Sequence, residues 1–161
     1  KTFSQRHEIE HTEIDLGEVV KSLEPTLRSL VGDEYRLTIE INDEKPLKLI
    51  GSAAQLQQVV LNLVVNARDA SPVGEEITVR IARASWYSST VEIRVTDAGP
   101  GIPSDNADRI FDPFYTTKTH EQGTGLGLAI VHGIVLDHAG SVRVRSKPGQ
   151  TDFIVELPTS E

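Results

Sequence analysis

Apolar residues recur with two spacings along the chain, and each spacing predicts one type of secondary structure. A spacing near 3.6 residues predicts three helices, at about 16–31, 53–70 and 126–138. Alternating apolar positions predict five strands, at 35–42, 77–84, 91–96, 141–146 and 152–157. Strands that follow one another in pairs favour a mixed sheet. We therefore expect an α+β fold, a two-layer α/β sandwich with three helices on one face of a mixed five-stranded sheet.

Capping and turn residues mark where these elements end. Asp15 and Ser52 are suitable N-caps for the first two helices. Pro25 interrupts the first helical pattern, so we expect it to kink or split that helix. Pro46 and Gly51 bound a segment that we expect to be a loop. Residues 97–125 show no period and are rich in Gly, Pro and Thr, and so long a loop is usually functional or disordered.

Composition narrows the class of protein. With 161 residues, 38% hydrophobic and 25% charged, the chain suits one folded domain, which we place at 15–161 after a linker or helix end at 1–14. The net charge of −8 argues against a nucleic-acid partner. The chain has no Cys, which excludes disulfides and thiol catalysis, and no Met even at position 1, so we expect a fragment of a longer protein. It shows no signal peptide, and a cytoplasmic location is expected, with membrane anchoring of the longer protein left open.

Two amides on the second predicted helix could bind a cation. Asn62 and Asn66 are four residues apart and therefore share one face of the helix. Their carbonyl oxygens suit Mg²⁺, which keeps several waters and also binds substrate phosphates. Considered alone, this pair is more typical of a solvated polar stripe.

Two glycine-containing segments could bind a nucleotide. Asp97 directly follows a strand and precedes Gly99 and Gly101, so its carboxylate could accept a hydrogen bond from an exocyclic amine. The alternative is an ordinary Gly/Pro turn. The run 123–128 opens a helix, where free backbone amides favour an anion, although it matches neither the Rossmann nor the Walker pattern. A glycine-rich turn and cap is the alternative here.

The aromatic segment 111–118 lies between these two glycine segments. Its Phe, Tyr and Lys side chains could cover a nucleotide and neutralise its phosphates. The alternative is a small apolar cluster that packs beneath a loop.

The order of these segments resembles the catalytic, ATP-binding domain of two-component sensor histidine kinases, which has the Bergerat fold. The run 55–70 resembles their N box, 97–103 their first glycine box, 110–118 their F box, and 123–128 their second glycine box. The resemblance extends over about Asp15 to Pro158, and four boxes in the correct order make it specific.

The resemblance implies a role for individual residues. Asn62 and Asn66 would coordinate Mg²⁺ and, with Lys118, would serve the catalytic step, and Asp97 would bind the adenine amino group. The ATP contacts that it implies are Asn66, Asp69, Asp97, Gly99, Gly101, Ile102, Phe111, Phe114, Thr117, Lys118, Gly123, Thr124, Gly125, Leu126, Gly127 and Leu128.

The resemblance also implies partners and a reaction. The γ-phosphoryl group of ATP would pass to a histidine on an upstream dimerisation domain, and then to a response-regulator receiver domain. His7 does not fit the acceptor motif, because its His-Glu pair is not closely followed by Pro. The segment itself is expected to be a monomer. A nucleotide-binding relay module without transfer activity, or another Bergerat-type ATPase, is the alternative.

Overall fold

The computed structural model describes residues 9–85, 88–103, 109–113 and 127–160. The helices in these ranges are α1 (Leu16–Val31), α2 (Ala53–Ala70) and α3 (Gly127–Asp137). The strands are β1 (Thr12–Asp15), β2 (Arg36–Ile41), β3 (Lys48–Gly51), β4 (Glu76–Arg83), β5 (Thr90–Asp97), β6 (Ser141–Lys147) and β7 (Gln150–Pro158). None of these helices combines the length and the apolar character needed to cross a membrane.

The main sheet has five strands in the order β2-β4-β5-β7-β6. The β2–β4 pair is parallel and the other pairs are antiparallel, so the predicted mixed sheet is confirmed. All three helices and the central strands contribute apolar side chains to one core. The predicted α+β sandwich is therefore the observed fold.

A second, two-stranded sheet was not predicted. Strand β1 pairs antiparallel with β3, in the segment that the sequence analysis expected to be a loop. The prediction failed because β3 is only four residues long, too short for its alternation to stand out between Pro46 and Gly51. Leu47 and Leu49 are buried, and this burial attaches the small sheet to the core. The domain boundary expected at residue 15 stays a prediction; β1 begins three residues before it, and residues 1–8 lie outside the described ranges.

Helix α1 begins and ends where the sequence predicts. The Asp15 side chain accepts a hydrogen bond from the backbone N–H of Gly17 at 3.0 Å, and Gly32 closes the helix with φ of 71°. Pro25 does not split the helix. The backbone carbonyl that loses its partner belongs to Lys21, and both residues are exposed, so water can satisfy this carbonyl.

A buried histidine joins the end of α3 to the start of α2. The His138 ring is 4% exposed, and its Nε2 accepts the backbone N–H of Ser52 at 3.0 Å. The ring hydrogen therefore lies on Nδ1, which donates to the carbonyl oxygen of Ile134 at 2.8 Å. Ser52 in turn caps α2, since its Oγ accepts the N–H of Gln55. His11 stacks on the His138 ring with 4.4 Å between centroids.

Replacing Gly51 by alanine tests how tightly this contact is packed. A Cβ on Gly51 would lie 2.6 Å from Cδ2 of His138, so we expect Gly51→Ala to lower the free energy of unfolding by about 1–3 kcal/mol. Gly133→Ala is the matched control, because a Cβ there meets nothing within 4 Å and alanine favours the helix by about 0.5–1 kcal/mol. Urea unfolding measures both. A Gly51→Ala protein as stable as the Gly133→Ala protein would contradict the packing.

The pKa of His138 predicts how stability depends on pH. Burial, and then the neighbouring His11, lower this pKa below its usual value, while the hydrogen bond to Ile134 and the charge of Asp137 act in the opposite direction. The unfolded chain then binds the proton more readily than the folded chain does. His138 therefore contributes its whole share to the free energy of unfolding above about pH 6.5, and this contribution decreases as the pH falls below that value.

The measurement is urea unfolding between about pH 7.5 and 5.5, where the loss is expected. His138→Gln removes the titrating group and keeps an oxygen that can accept from Ser52, so its loss over this range should be smaller than that of the wild type. His132→Asn is the control, since it removes a histidine and leaves His138 in place. An equal pH slope in the wild type and His138→Gln would show that His138 is not the cause.

Candidate functional site

Asp97 stands at the end of β5, in the position that the sequence predicts. Its side chain is almost fully buried, with 3% of the residue exposed. The Oδ1 oxygen accepts the backbone N–H of Gly99 at 2.8 Å, which turns the chain away from the strand. The carboxylate is therefore held in one orientation at the edge of the core.

The loop that follows Asp97 is attached to two other elements. The backbone N–H of Ala98 donates to Ser71 Oγ at 3.2 Å, just after the end of α2. The N–H of Ile102 donates to Ser146 Oγ at 2.6 Å, on β6. Neither serine contact is predictable from the sequence, because an isolated serine carries no signal that identifies its partner.

The two predicted glycines of this loop lie in close contacts. A Cβ on Gly99 would lie 2.9 Å from the carbonyl oxygen of Ala70, at the end of α2. Gly101 has φ of +91°, and a Cβ there would lie 2.8 Å from the carbonyl oxygen of Lys147. Both positions therefore require glycine, and the absence of a side chain at each lets the loop pack closely against α2 and β6.

The polar face of α2 that carries Gln55, Asn62 and Asn66 contains buried atoms that no described residue binds. Nδ2 of Asn62 and Oε1 of Gln55 are buried, and neither has a hydrogen-bond partner among the residues that the structure describes. Leaving such an atom unsatisfied costs about 1–3 kcal/mol, so these amides favour an added ligand or water. Rotating the Asn62 amide by 180° would present its oxygen to a cation in place of its nitrogen. Asn66, one turn further along, is partly buried.

Helix α3 packs against α2 and begins at Gly127. Leu128 contacts the core, whereas a Cβ on Gly127 would meet no atom within 4 Å. The other residues predicted for the phosphate loop and its cover lie outside the described ranges: Phe114, Thr117, Lys118, Gly123, Thr124, Gly125 and Leu126.

Two predicted ATP contacts have other neighbours in the structure. Phe111 stacks on His132 with 5.5 Å between ring centroids and meets the edge of Phe153, as in the apolar cluster considered as the alternative. Asp69 forms an ion pair with Arg68 at 3.1 Å. Asp69 also lines a cavity of about 440 Å³ beside Leu30 and Tyr35, near the end of α1.

The described ranges contain no group of three or more His, Asp or Glu side chains that could hold a metal. Asn62 and Asn66 are neutral oxygen donors on one face of α2, and a cation held by two such groups needs further ligands. Mg²⁺ takes these from water and from phosphates, so the donor set fits a magnesium–nucleotide complex.

Comparison with known proteins shows the same architecture. The family model described as "Histidine kinase-, DNA gyrase B-, and HSP90-like ATPase" matches residues 51–161. Sensor kinase CckA of Brucella abortus is 38% identical over 97% of this chain, and sensor histidine kinase ZraS of Escherichia coli K12 is 38% identical over 91%. The catalytic domain of histidine kinase ThkA has a TM-score of 0.76 and 32% identity, covering 93% of this chain and 96% of that one. The chain spans only 18% of CckA and 31% of ZraS.

Proposed function

Because the chain belongs to the family of histidine kinase-, DNA gyrase B- and HSP90-like ATPases, we propose that it is the ATP-binding half of a two-component sensor histidine kinase. It would transfer the γ-phosphoryl group of ATP to a histidine on an upstream dimerisation domain. The names of its relatives support this choice within the family, since CckA and ZraS are both called sensor kinases.

The observation that carries the proposal is the buried Asp97 beside a glycine loop. A carboxylate accepts hydrogen bonds only, and one of its oxygens already holds Gly99. The exocyclic amine of adenine is a hydrogen-bond donor, so it can donate to this carboxylate. Gly99 and Gly101 let the loop pack closely against α2 and β6, which fixes its backbone beside this carboxylate. Asp97 would therefore recognise the base.

The other end of the nucleotide would lie between α2 and α3. Asn62 and Asn66 would hold Mg²⁺, which when bound neutralises charge on the phosphates. The buried Nδ2 of Asn62 has no partner among the described residues, and rotating the amide would turn its oxygen toward a cation, which supports this role. The backbone amides of Gly123, Gly125 and Gly127 would bind the phosphate oxygens at the start of α3, and Lys118 would add a positive charge. These assignments place the triphosphate beside the polar stripe of α2.

The reaction itself needs little from the protein beyond position and charge. A nitrogen of the acceptor imidazole forms a bond to the γ-phosphorus as the bond from that phosphorus to the bridging oxygen breaks, and ADP leaves with that oxygen. The phosphoryl group would then pass to a response-regulator receiver domain. We place this chemistry in the cytoplasm.

Changing Asp97 to asparagine tests the adenine assignment. The amide oxygen can still accept the Gly99 N–H, but the charge-assisted bond to adenine is lost. We expect ATP affinity to fall roughly ten- to hundredfold, the equivalent of about 1.5–3 kcal/mol. Asp33→Asn removes the same charge at an exposed position after α1 and serves as the control. Titration calorimetry measures both, and an unchanged affinity in Asp97→Asn would remove Asp97 from the site.

Phosphate transfer tests the activity. Mixed with the acceptor domain encoded upstream in the same full-length protein, the chain should label a histidine from γ-labelled ATP in the presence of Mg²⁺. We expect Asn66→Ala to reduce labelling by at least tenfold, because the cation would lose a ligand (about 1.4 kcal/mol or more). Labelling is followed on gels as an acid-labile phosphate.

Two results would contradict the transfer proposal. Bound ATP with no label on an acceptor that another kinase domain can phosphorylate would indicate a relay module. Steady ATP hydrolysis without any acceptor would indicate a different member of the ATPase family.

A further inference from the structure

Three side chains line up across the end of the main sheet. Asp97 of β5 is the register partner of Thr151 of β7, and Thr151 is the register partner of Ser146 of β6. Asp97 and Thr151 are each 3% exposed, whereas Ser146 is on the exposed edge strand. The row therefore runs from the buried carboxylate of the site to the edge of the sheet.

Ser146 joins this row to the far end of the glycine loop. Its Oγ accepts the Ile102 N–H at 2.6 Å and lies 3.1 Å from Thr151 Oγ1. The only hydrogen on Ser146 Oγ is then available to Thr151, so one hydroxyl can make both bonds. At the near end of the loop, Asp97 holds the N–H of Gly99. The loop is thus fixed at both ends by members of one row.

The loop cannot move closer to β6 or turn freely at this point. A Cβ on Gly101 would lie 2.8 Å from the Lys147 carbonyl oxygen and 2.9 Å from Ser146 Oγ. The positive φ of Gly101 turns the chain so that the next amide, that of Ile102, meets the serine. Removing the hydroxyl would release this amide, which is near the surface and can bond to water instead.

We propose that Ser146 is a positioning residue for nucleotide binding, which holds the Gly101–Ile102 part of the loop in the shape that receives the base. This inference rests on the proposed function, because it assigns the loop to the adenine end of ATP. It predicts that the Ser146 hydroxyl affects binding far more than it affects folding.

The test compares Ser146→Ala with two matched variants of this chain. Ser146→Thr keeps a hydroxyl at the same position. Ser141→Ala makes the same change at the other end of β6, where the register partner is Glu156. Titration calorimetry with ATP and with ADP measures affinity, and thermal unfolding measures stability.

We expect Ser146→Ala to weaken ATP and ADP binding by the same factor, about two- to tenfold, which is the effect of one ordinary hydrogen bond. Ser146→Thr should restore binding, Ser141→Ala should bind as the wild type does, and all four proteins should unfold at similar temperatures. If ATP and ADP lose affinity by the same factor, the hydroxyl does not act through the γ-phosphate, because ADP has none.

Several results would overturn the inference. These are wild-type affinity in Ser146→Ala, an equal loss in Ser141→Ala, or a loss in Ser146→Thr as large as that in Ser146→Ala. Failure of the proposed function looks different, since the wild-type chain would then bind neither nucleotide. If the wild type binds and Ser146→Ala binds equally well, the positioning role alone is wrong.

Discussion

Helix α2 has to satisfy two opposite requirements along the same eighteen residues. One face is apolar and buried, with residues such as Leu56 and Leu63 fully removed from solvent. The neighbouring face carries Asn62 and Asn66, and Nδ2 of Asn62 is buried without a partner among the described residues. An isolated domain gains no stability from such an atom. The arrangement becomes favourable when a ligand completes the bonds, which agrees with the proposal that the helix anchoring the core also forms the floor of the site.

The other walls of the site depend on α2 being held in place at both ends. At its start, the buried His138 accepts the Ser52 amide and connects α2 to the last turn of α3. At its end, Ser71 accepts the Ala98 amide and connects α2 to the glycine loop. Both contacts are hydrogen bonds between elements far apart in sequence. They relate the loop beside Asp97 to the helix whose start is proposed to bind phosphate.

Long, strongly periodic segments made most of the fold predictable from sequence. The apolar stripe of α2 and the alternating apolar residues of β4 and β5 determine both the type of each element and the face that it buries. The sequence indicated the candidate site only as an ordered set of motifs, since the Asn pair or Asp97 alone is also typical of ordinary surface features. The β1–β3 sheet and the contacts of Ser146 were not predictable, because short strands and single hydroxyls acquire partners only through the tertiary fold.

This difference follows from how the two kinds of position are constrained. A core residue is selected by its face of a helix or strand, and many apolar side chains satisfy that requirement. Gly101 is constrained instead by one backbone carbonyl and by its positive φ, and Ser146 by one amide at 2.6 Å. Few other residues can replace either of them, and neither belongs to a periodic pattern in the sequence. Residues that shape a binding loop are therefore recognised from contacts in the structure, whereas the residues that build the sheet beneath it are recognised from spacing.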